Sequence, residues 1–422
     1  MARARPTPWV WIVFIAVIGA MLITAATFVT VKLTAPAPPA TVSIQAPATV
    51  LLDGAAPPTI PTPSNGSFAL ATSLGGTVAT RAPAAVRPIG SVAKAMTALV
   101  VLAAHPVSPG APGPSIVMTN ADVLLYRQAV TAGGSNLPVH AGEILTERDL
   151  LLALLLPSAD NIAETLAVWV SGNRSRFIAR LNAAATAMGM DHTHFADPSG
   201  LSAGTVSTAL DLVVLARAVI ANPSLAELVG SSRAVLSNGT VLNNLDILLT
   251  SQTGWLGIKT GWTGAARGCL LFAAQMTFGT SQGLTVWGAI LGQPPSAPGD
   301  PAHPELGQAF VSAQSAVAAA LGAYKVVDLS EFLRQISGSI STRWGDSSSV
   351  TLSEPASVYR FVHAGAALSF HVSVLRPGVP IAAGTTVAEV AGTLNQQTSI
   401  VWNVVSTSVI ADPSSWWKLF SG

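Results

Sequence analysis

Ser91 and Lys94 stand three residues apart at the head of an apolar run, Gly90-Ser91-Val92-Ala93-Lys94-Ala95-Met96-Thr97-Ala98. Gly90 and Ser91 are cap-type residues, and Ala, Met, Leu and Val dominate onward to Leu102, so the pattern predicts a helix starting here. Positions i and i+3 of a helix share a face, which brings the hydroxyl and the amine together. A lysine kept neutral by desolvation or by a cationic neighbour can take the serine proton and turn a weak hydroxyl into a nucleophile. The same residues also describe a helix cap followed by a surface lysine, so the pair decides nothing alone.

Two further clusters could complete such a site. Leu156-Pro157-Ser158-Ala159-Asp160-Asn161 interrupts an apolar helical stretch with a polar group before a new helix begins, a pattern of either a cap or a site. Gly257-Ile258-Lys259-Thr260-Gly261-Trp262 reads as a strand end, followed by a second strand over Cys269 to Ala274. There Lys259 and the Thr260 hydroxyl could hold a substrate carboxylate, and Gly261 would let the ligand approach the backbone. Each cluster alone would equally suit a capping loop and a hairpin turn.

The elements that must position these residues follow from the rest of the chain. Residues 1–8 form a short tail carrying Arg3 and Arg5, and residues 9–31 contain no charge. At about 1.5 Å per residue that helix is about 34 Å long, enough to cross a hydrocarbon core of about 30 Å. A cleaved signal peptide would have an apolar stretch of only about 7–15 residues and a small-x-small cleavage site. The one later candidate, Ala35-Pro36-Ala37, is followed by Pro38, so an uncleaved anchor is expected. Two arginines before the span against Lys32 after it put the N-terminus in the cytoplasm and the remainder outside. Residues 32–63, rich in Pro, Ala and Thr, read as an extended spacer. Residues 64–325 mix short strands, apolar helices and Gly/Pro/Ser loops, ending in a helix from Glu305 to Leu321. Period-two alternation then marks a small β domain over 326–411, as in Leu368, Phe370, Val372 and Val374. In the tail, 412–422, Trp416, Trp417 and Phe420 flank Lys418, suited either to a membrane interface or to packing on the β domain.

Composition narrows the function. Hydrophobic residues make up 50% and charged residues 10%, far below the usual quarter or so, and the net charge is +1. No basic excess points to nucleic acid. The single cysteine, Cys269, excludes an internal disulfide, and the seven histidines form no metal-ligand pattern. No nucleotide-binding glycine loop is present, so neither a metal nor a cofactor is expected.

Taken together and in order, Ser-x-x-Lys at Ser91, a Ser-x-Asn-like element at Ser158 and Lys-Thr-Gly at Lys259 are the set that marks penicillin-recognising serine enzymes. The text between strengthens the match, in Gly142-Glu143, Leu181-Asn182, Met188-Gly189-Met190, Thr193-His194-Phe195, Pro198-Ser199-Gly200-Leu201 and Asn243-Asn244-Leu245. Over roughly residues 65–325 the chain resembles the low-molecular-mass penicillin-binding proteins, the serine-type D-alanyl-D-alanine carboxypeptidases. The resemblance implies an α/β fold, an antiparallel central sheet flanked by helices, with peptidoglycan stem peptides as substrate and β-lactams as inhibitors. It further implies that Ser91 attacks the penultimate D-Ala carbonyl, Lys94 accepts its proton and Ser158 relays a proton to the leaving nitrogen. Lys259, Thr260 and Gly261 would bind the terminal carboxylate, and the N–H groups of Ser91 and of a residue near Trp262 or Thr263 would form the oxyanion hole.

One position departs from the family pattern. Where a carboxamide is usual, two residues after the middle serine, this chain has Asp160, with Asn161 displaced by one. A register that keeps Asn161 loses the serine. An ionised aspartate cannot donate to the substrate as a carboxamide would, and beside Lys94 it favours the charged lysine. Weak turnover, or a non-catalytic peptidoglycan-binding scaffold, is therefore the alternative expectation; a β-lactamase-like hydrolase would need a deacylating glutamate that no segment supplies.

Overall fold

The computed structural model describes residues 8–52, 59–278, 282–295, 306–353, 357–363, 365–394 and 397–421. Arg3, Arg5, Glu305 and the 53–58 part of the expected spacer lie outside the described residues. The chain opens with α1 (Pro8–Thr34), β1 (Thr41–Gln45) and β2 (Thr49–Leu52), then a hairpin of β3 (Ser67–Thr72) and β4 (Gly76–Arg81). A 3-10 turn at Gly90–Val92 leads into α2 (Ala93–Ala104), followed by α3 (Asn120–Thr131), α4 (Glu147–Leu155), α5 (Asp160–Ser171), α6 (Arg174–Ala187) and α7 (Ala209–Ala221). Next come β5 (Trp255–Gly261), β6 (Gly268–Phe278), β7 (Gln282–Gln293) and α8 (Gly307–Gly322). Strands β8 (Ser337–Ser341), β9 (Ser347–Leu352), β10 (Ala366–Val374), β11 (Thr386–Leu394) and β12 (Gln397–Ser406), then α9 (Ser415–Phe420), complete the main elements.

Residues 58–324 form one compact unit. Its five-stranded sheet runs β5-β6-β7-β3-β4, antiparallel throughout. Both faces are covered, which is why β3 reads Ser-Phe-Ala-Leu-Ala-Thr without polar alternation and is buried along its length. Ala69 and Ala71 join the helical core with Val101, Leu155, Leu166 and Leu215, whereas Phe68 and Leu70 pack against Phe310, Ala313 and Val317 of α8. Helix α2 is buried on nearly every side, and its alanines let neighbouring elements close around it. Helices α3 and α4 start with capping boxes, Thr119 with Asp122 and Thr146 with Asp149, each satisfying two backbone donors. Helix α5 starts at Asp160 with no side-chain cap, because its N-cap residue, Ala159, has no side-chain acceptor.

Residues 1–57 and 325–422 form the second unit. Its seven-stranded sheet has the order β1-β8-β9-β12-β11-β10-β2. The segment expected as a spacer thus supplies both edge strands: Val42 pairs with Ile340, and Leu52 pairs with Ala366. Each edge strand inserts alternate side chains into the β core, Leu52 being fully covered, which a solvated spacer would not do. Helix α1 carries a window of mean hydropathy 2.6 within Trp9–Thr34 and is long and apolar enough to cross a membrane.

Candidate active site

The 3-10 turn that leads into α2 presents Ser91 half-buried, and the first turn of α2 holds Lys94 fully buried. Lys94 Nζ lies 2.7 Å from Ser91 Oγ, 2.6 Å from Asp160 Oδ1 and 2.9 Å from the Ser199 carbonyl oxygen. Three acceptors around one nitrogen match the three N–H bonds of an ammonium. A neutral amine would keep its bonds to Asp160 and Ser199 and turn its lone pair to the Ser91 hydroxyl, so the same geometry serves both protonation states.

The loop before α5 explains how Asp160 comes to be there. Its own N–H donates to the Ser135 carbonyl at 2.7 Å, and Ala159 N–H donates to Ala153 at 2.9 Å. A Cβ on Gly134 would sit 2.4 Å from Asp160 Oδ2, so only glycine leaves room for the carboxylate. Ser158 has φ of 66°, a left-handed conformation that costs a non-glycine residue of order 1–3 kcal/mol. Its buried Oγ has no hydrogen-bond partner among the described residues. An orphan hydroxyl held in a strained loop beside a charged pair is poised to bond an incoming group.

Asn161 is not part of this cluster. Its side chain donates to the Leu137 carbonyl at 2.9 Å and accepts from Leu137 N–H at 3.0 Å, so the carboxamide is consumed by the backbone. The register that would have used Asn161 in place of Ser158 is therefore not the one the fold builds, and Asp160 occupies the position beside Lys94.

The end of β5 closes the other side. A Cβ on Gly261 would lie 2.9 Å from Ile89 O and Val92 N and 3.1 Å from Ser91 N, so this strand end abuts the serine turn directly. The backbone nitrogens of Ser91 and Trp262 both border this junction, two N–H groups in reach of one oxyanion position. Lys259 and Thr260 are buried, and Lys259 Nζ donates to the Thr260 carbonyl at 3.1 Å. Burial, reinforced by the charge of Lys94, pushes the Lys259 ammonium well below the usual lysine range, with Asp160 and Asp246 opposing.

Sequence reasoning missed the groups behind these residues. Asp197 accepts from Ser199 Oγ at 2.7 Å, from Leu201 N–H at 2.9 Å and from Thr205 Oγ1, fixing the loop whose Ser199 carbonyl meets Lys94. Thr97, one turn beyond Lys94, donates to the Pro198 carbonyl at 2.7 Å and ties that loop to α2. Burial pushes the Asp246 carboxyl up to about 6, against hydrogen bonds from Trp255 Nε1 at 2.9 Å and Leu248 N–H at 3.1 Å and the charge of Lys259. The Pro198-Ser199-Gly200-Leu201 run stood out as a motif; Asp246 carried no signal, since only the fold brings it near Lys259. A cleft of about 290 Å³ lined by Gln128, Asp160, Glu164, Arg174, Ser199 and Leu201 opens beside the cluster.

Comparison with known proteins bears on this geometry. A family model described as D-alanyl-D-alanine carboxypeptidase matches residues 64–286. A D-alanyl-D-alanine carboxypeptidase of Bacillus subtilis is 29% identical over 152 residues, 35% of this chain and 39% of that protein. One from Mycobacterium tuberculosis is 40% identical over 142 residues, 32% of this chain and 48% of that protein. The matched stretch thus spans less than half the length of either curated relative. The crystal structure of a Streptomyces DD-transpeptidase superposes with a TM-score of 0.53 at 27% identity, covering 63% of this chain and 99% of that one.

Proposed function

The chain belongs to the D-alanyl-D-alanine carboxypeptidase family, and on that premise we propose that it hydrolyses the terminal D-Ala from peptidoglycan stem peptides through an acyl-enzyme on Ser91. The observation that carries this reading is the 2.7 Å contact between Ser91 Oγ and Lys94 Nζ, at a turn against which the Lys-Thr-Gly strand end packs. In the first half-reaction Ser91 Oγ attacks the penultimate D-Ala carbonyl while its proton passes to neutral Lys94. The developing oxyanion is met by the Ser91 and Trp262 N–H groups, a contribution of about 3 kcal/mol per donor. Collapse breaks the peptide bond, and the proton reaches the leaving nitrogen through Ser158, whose unpartnered Oγ is suited to such a relay. Lys259 and Thr260 hold the terminal carboxylate, which restores a counter-charge to a lysine that burial disfavours as a cation. Water then cleaves the ester and returns Ser91. A β-lactam would enter the same steps as a cyclic mimic of the scissile amide.

The reading extends to location. With α1 as an anchor and its N-terminus in the cytoplasm, the catalytic unit would face the cell wall outside the membrane, where the substrate lies. Fluorescent penicillin tests the chemistry: the wild type is expected to retain label through denaturation, and Ser91→Ala to retain none. Equal labelling of both, or none of either, would remove Ser91 as nucleophile.

One observation favours a second reading, a slow enzyme serving mainly as a peptidoglycan-binding scaffold. Asp160 Oδ1, 2.6 Å from Lys94 Nζ, stands where the family pattern has a carboxamide and ties up the group that should take the serine proton. The two readings part on turnover: release of D-Ala from a pentapeptide mimic on the timescale of acylation supports the enzyme, and labelling without release supports the scaffold.

A further inference from the structure

Asp160 meets Lys94 from the first position of a helix, and that helix carries a second carboxylate. Glu164 stands four residues further on in α5, on the same face, so the segment that brings Asp160 to the catalytic cluster also brings Glu164 one turn away. Arg174, at the head of α6, reaches it: Arg174 Nε lies 3.0 Å from Glu164 Oε2 and 3.2 Å from Oε1. Both contacts use Nε, so among the described residues the two terminal amino groups of the guanidinium have no protein partner, and the side chain is half-exposed.

Helix stability does not explain this arrangement. Acids rather than bases suit the first turn of a helix, yet α6 starts Arg174-Ser175-Arg176 with no acid there. Asp160 and Glu164 are like charges at i and i+4, a pairing that destabilises a helix. Burial pushes the Glu164 carboxyl above its usual range, and Arg174 offsets only part of that. Charged residues kept against these costs at the rim of an active site mark a place where something binds.

Asp160, Glu164, Arg174, Ser199 and Leu201 line the cleft of about 290 Å³. Ligand pockets start at about 300 Å³, so this one suits a side chain rather than a whole peptide. Two of its walls, Asp160 and Ser199, are the acceptors of Lys94, whose nitrogen is 2.7 Å from Ser91 Oγ, so the cleft begins beside the nucleophile. With the terminal carboxylate held by Lys259 and Thr260 at the end of β5, the α5 side is left to the part of the substrate that precedes the scissile bond. Charge then selects the occupant. Asp160 is matched by Lys94 and Glu164 by Arg174, so a lone anion would face two carboxylates and a lone cation a guanidinium. A group with an ammonium and a carboxylate on one carbon offers its carboxylate to the free fork of Arg174 and its ammonium to Glu164.

We propose that this cleft is a specificity subsite, in which Arg174 and Glu164 hold the free amino-acid end of a substrate side chain just before the D-Ala-D-Ala terminus. It rests on the acyl-enzyme reading of Ser91.

Three pentapeptides ending in D-Ala-D-Ala and differing only at the third residue test this: diaminopimelic acid, whose side chain ends in both charges, lysine, with the ammonium alone, and aminopimelic acid, with the carboxylate alone. Each competes with fluorescent penicillin for the full chain in detergent, and the readout is the concentration that halves the labelling rate, which needs no turnover. In the wild type the doubly charged peptide is expected to be at least tenfold more potent than either of the others, the scale of hydrogen bonds to charged groups. Arg174→Gln and Glu164→Gln are each expected to bring the three peptides within twofold of one another. Equal potency of the three in the wild type, or a parallel loss on all three in the variants, overturns the subsite while penicillin labelling stands. A wild type that takes no penicillin label overturns the acyl-enzyme reading and the subsite with it.

Discussion

Replacing Asp160 by Asn should speed acylation of Ser91. In the present chain a buried ammonium is matched by a buried carboxylate at 2.6 Å, with only the Ser91 hydroxyl and the Ser199 carbonyl as further partners. Removing the charge of Asp160 while keeping its shape leaves buried Lys94 without its counter-charge, at about 3–5 kcal/mol for an ammonium. The variant therefore has no ion pair to break before the serine proton can move. The carboxamide also regains a donor for the substrate. Each 1.36 kcal/mol is tenfold in rate, and a gain of about 10- to 100-fold in penicillin acylation is expected at pH 8. The assay is the second-order acylation rate with fluorescent penicillin from pH 6 to 9, beside thermal melts that certify the fold. Equal or slower acylation by a variant that melts like the wild type would show that the ion pair is not what limits the nucleophile.

Further predictions follow from other parts of the structure. Lys259→Ala should erase discrimination between peptides ending in free D-Ala and in D-alaninamide, a loss of about 10- to 150-fold in kcat/KM for the acid alone, since hydrogen bonds to charged groups contribute about 1.5–3 kcal/mol; equal losses on both substrates would count against a carboxylate role. Glu147 is fully buried with both carboxylate oxygens unpartnered, and burial pushes its carboxyl from 4.5 up to about 7. The folded state therefore holds a proton that the unfolded chain has lost between those values, so the stability contributed by Glu147 is full below pH 4.5 and lost as pH rises through 7, by up to about 3 kcal/mol. Glu147→Gln should raise the melting temperature at pH 8 and leave it nearly unchanged at pH 4.5; a parallel shift at both would contradict this. Leu52→Asp should destabilise the C-terminal sheet by more than the ~2–5 kcal/mol of a buried Leu→Ala change and expose β8 to β12 to protease, with penicillin labelling retained. A spacer residue would tolerate the same change silently.

What the sequence disclosed about the site was local chemistry, and what it withheld was pairing across the fold. Ser91 and Lys94 were legible because one helical turn fixes their relation. Lys259 to Gly261 were legible because a strand end and a glycine predict an open edge. Asp160 was legible as a departure in type, and its contact with Lys94 only as an expectation. Asn161 could not be resolved without the backbone, since its partner Leu137 lies 24 residues earlier and makes the carboxamide structural. Asp246 and Asp197 were silent for the same reason. In the fold, the strands β1 and β2 were lost among prolines because runs of five and four residues gain meaning only from partners about 300 residues away.

The buried charges also suggest why an aspartate is tolerated at position 160. The charge of Lys94 helps push the Lys259 ammonium down, and both side chains are removed from water. Asp160 opposes that shift with a carboxylate, and Asp246 adds a second, weaker counter-charge. Stability gained this way is drawn from the ground state of the nucleophile, so this substitution should trade rate for fold stability in one step. Asp160→Asn is therefore expected to acylate faster and to melt lower. A variant that gains in both rate and melting temperature at pH 6 would break the link between the two.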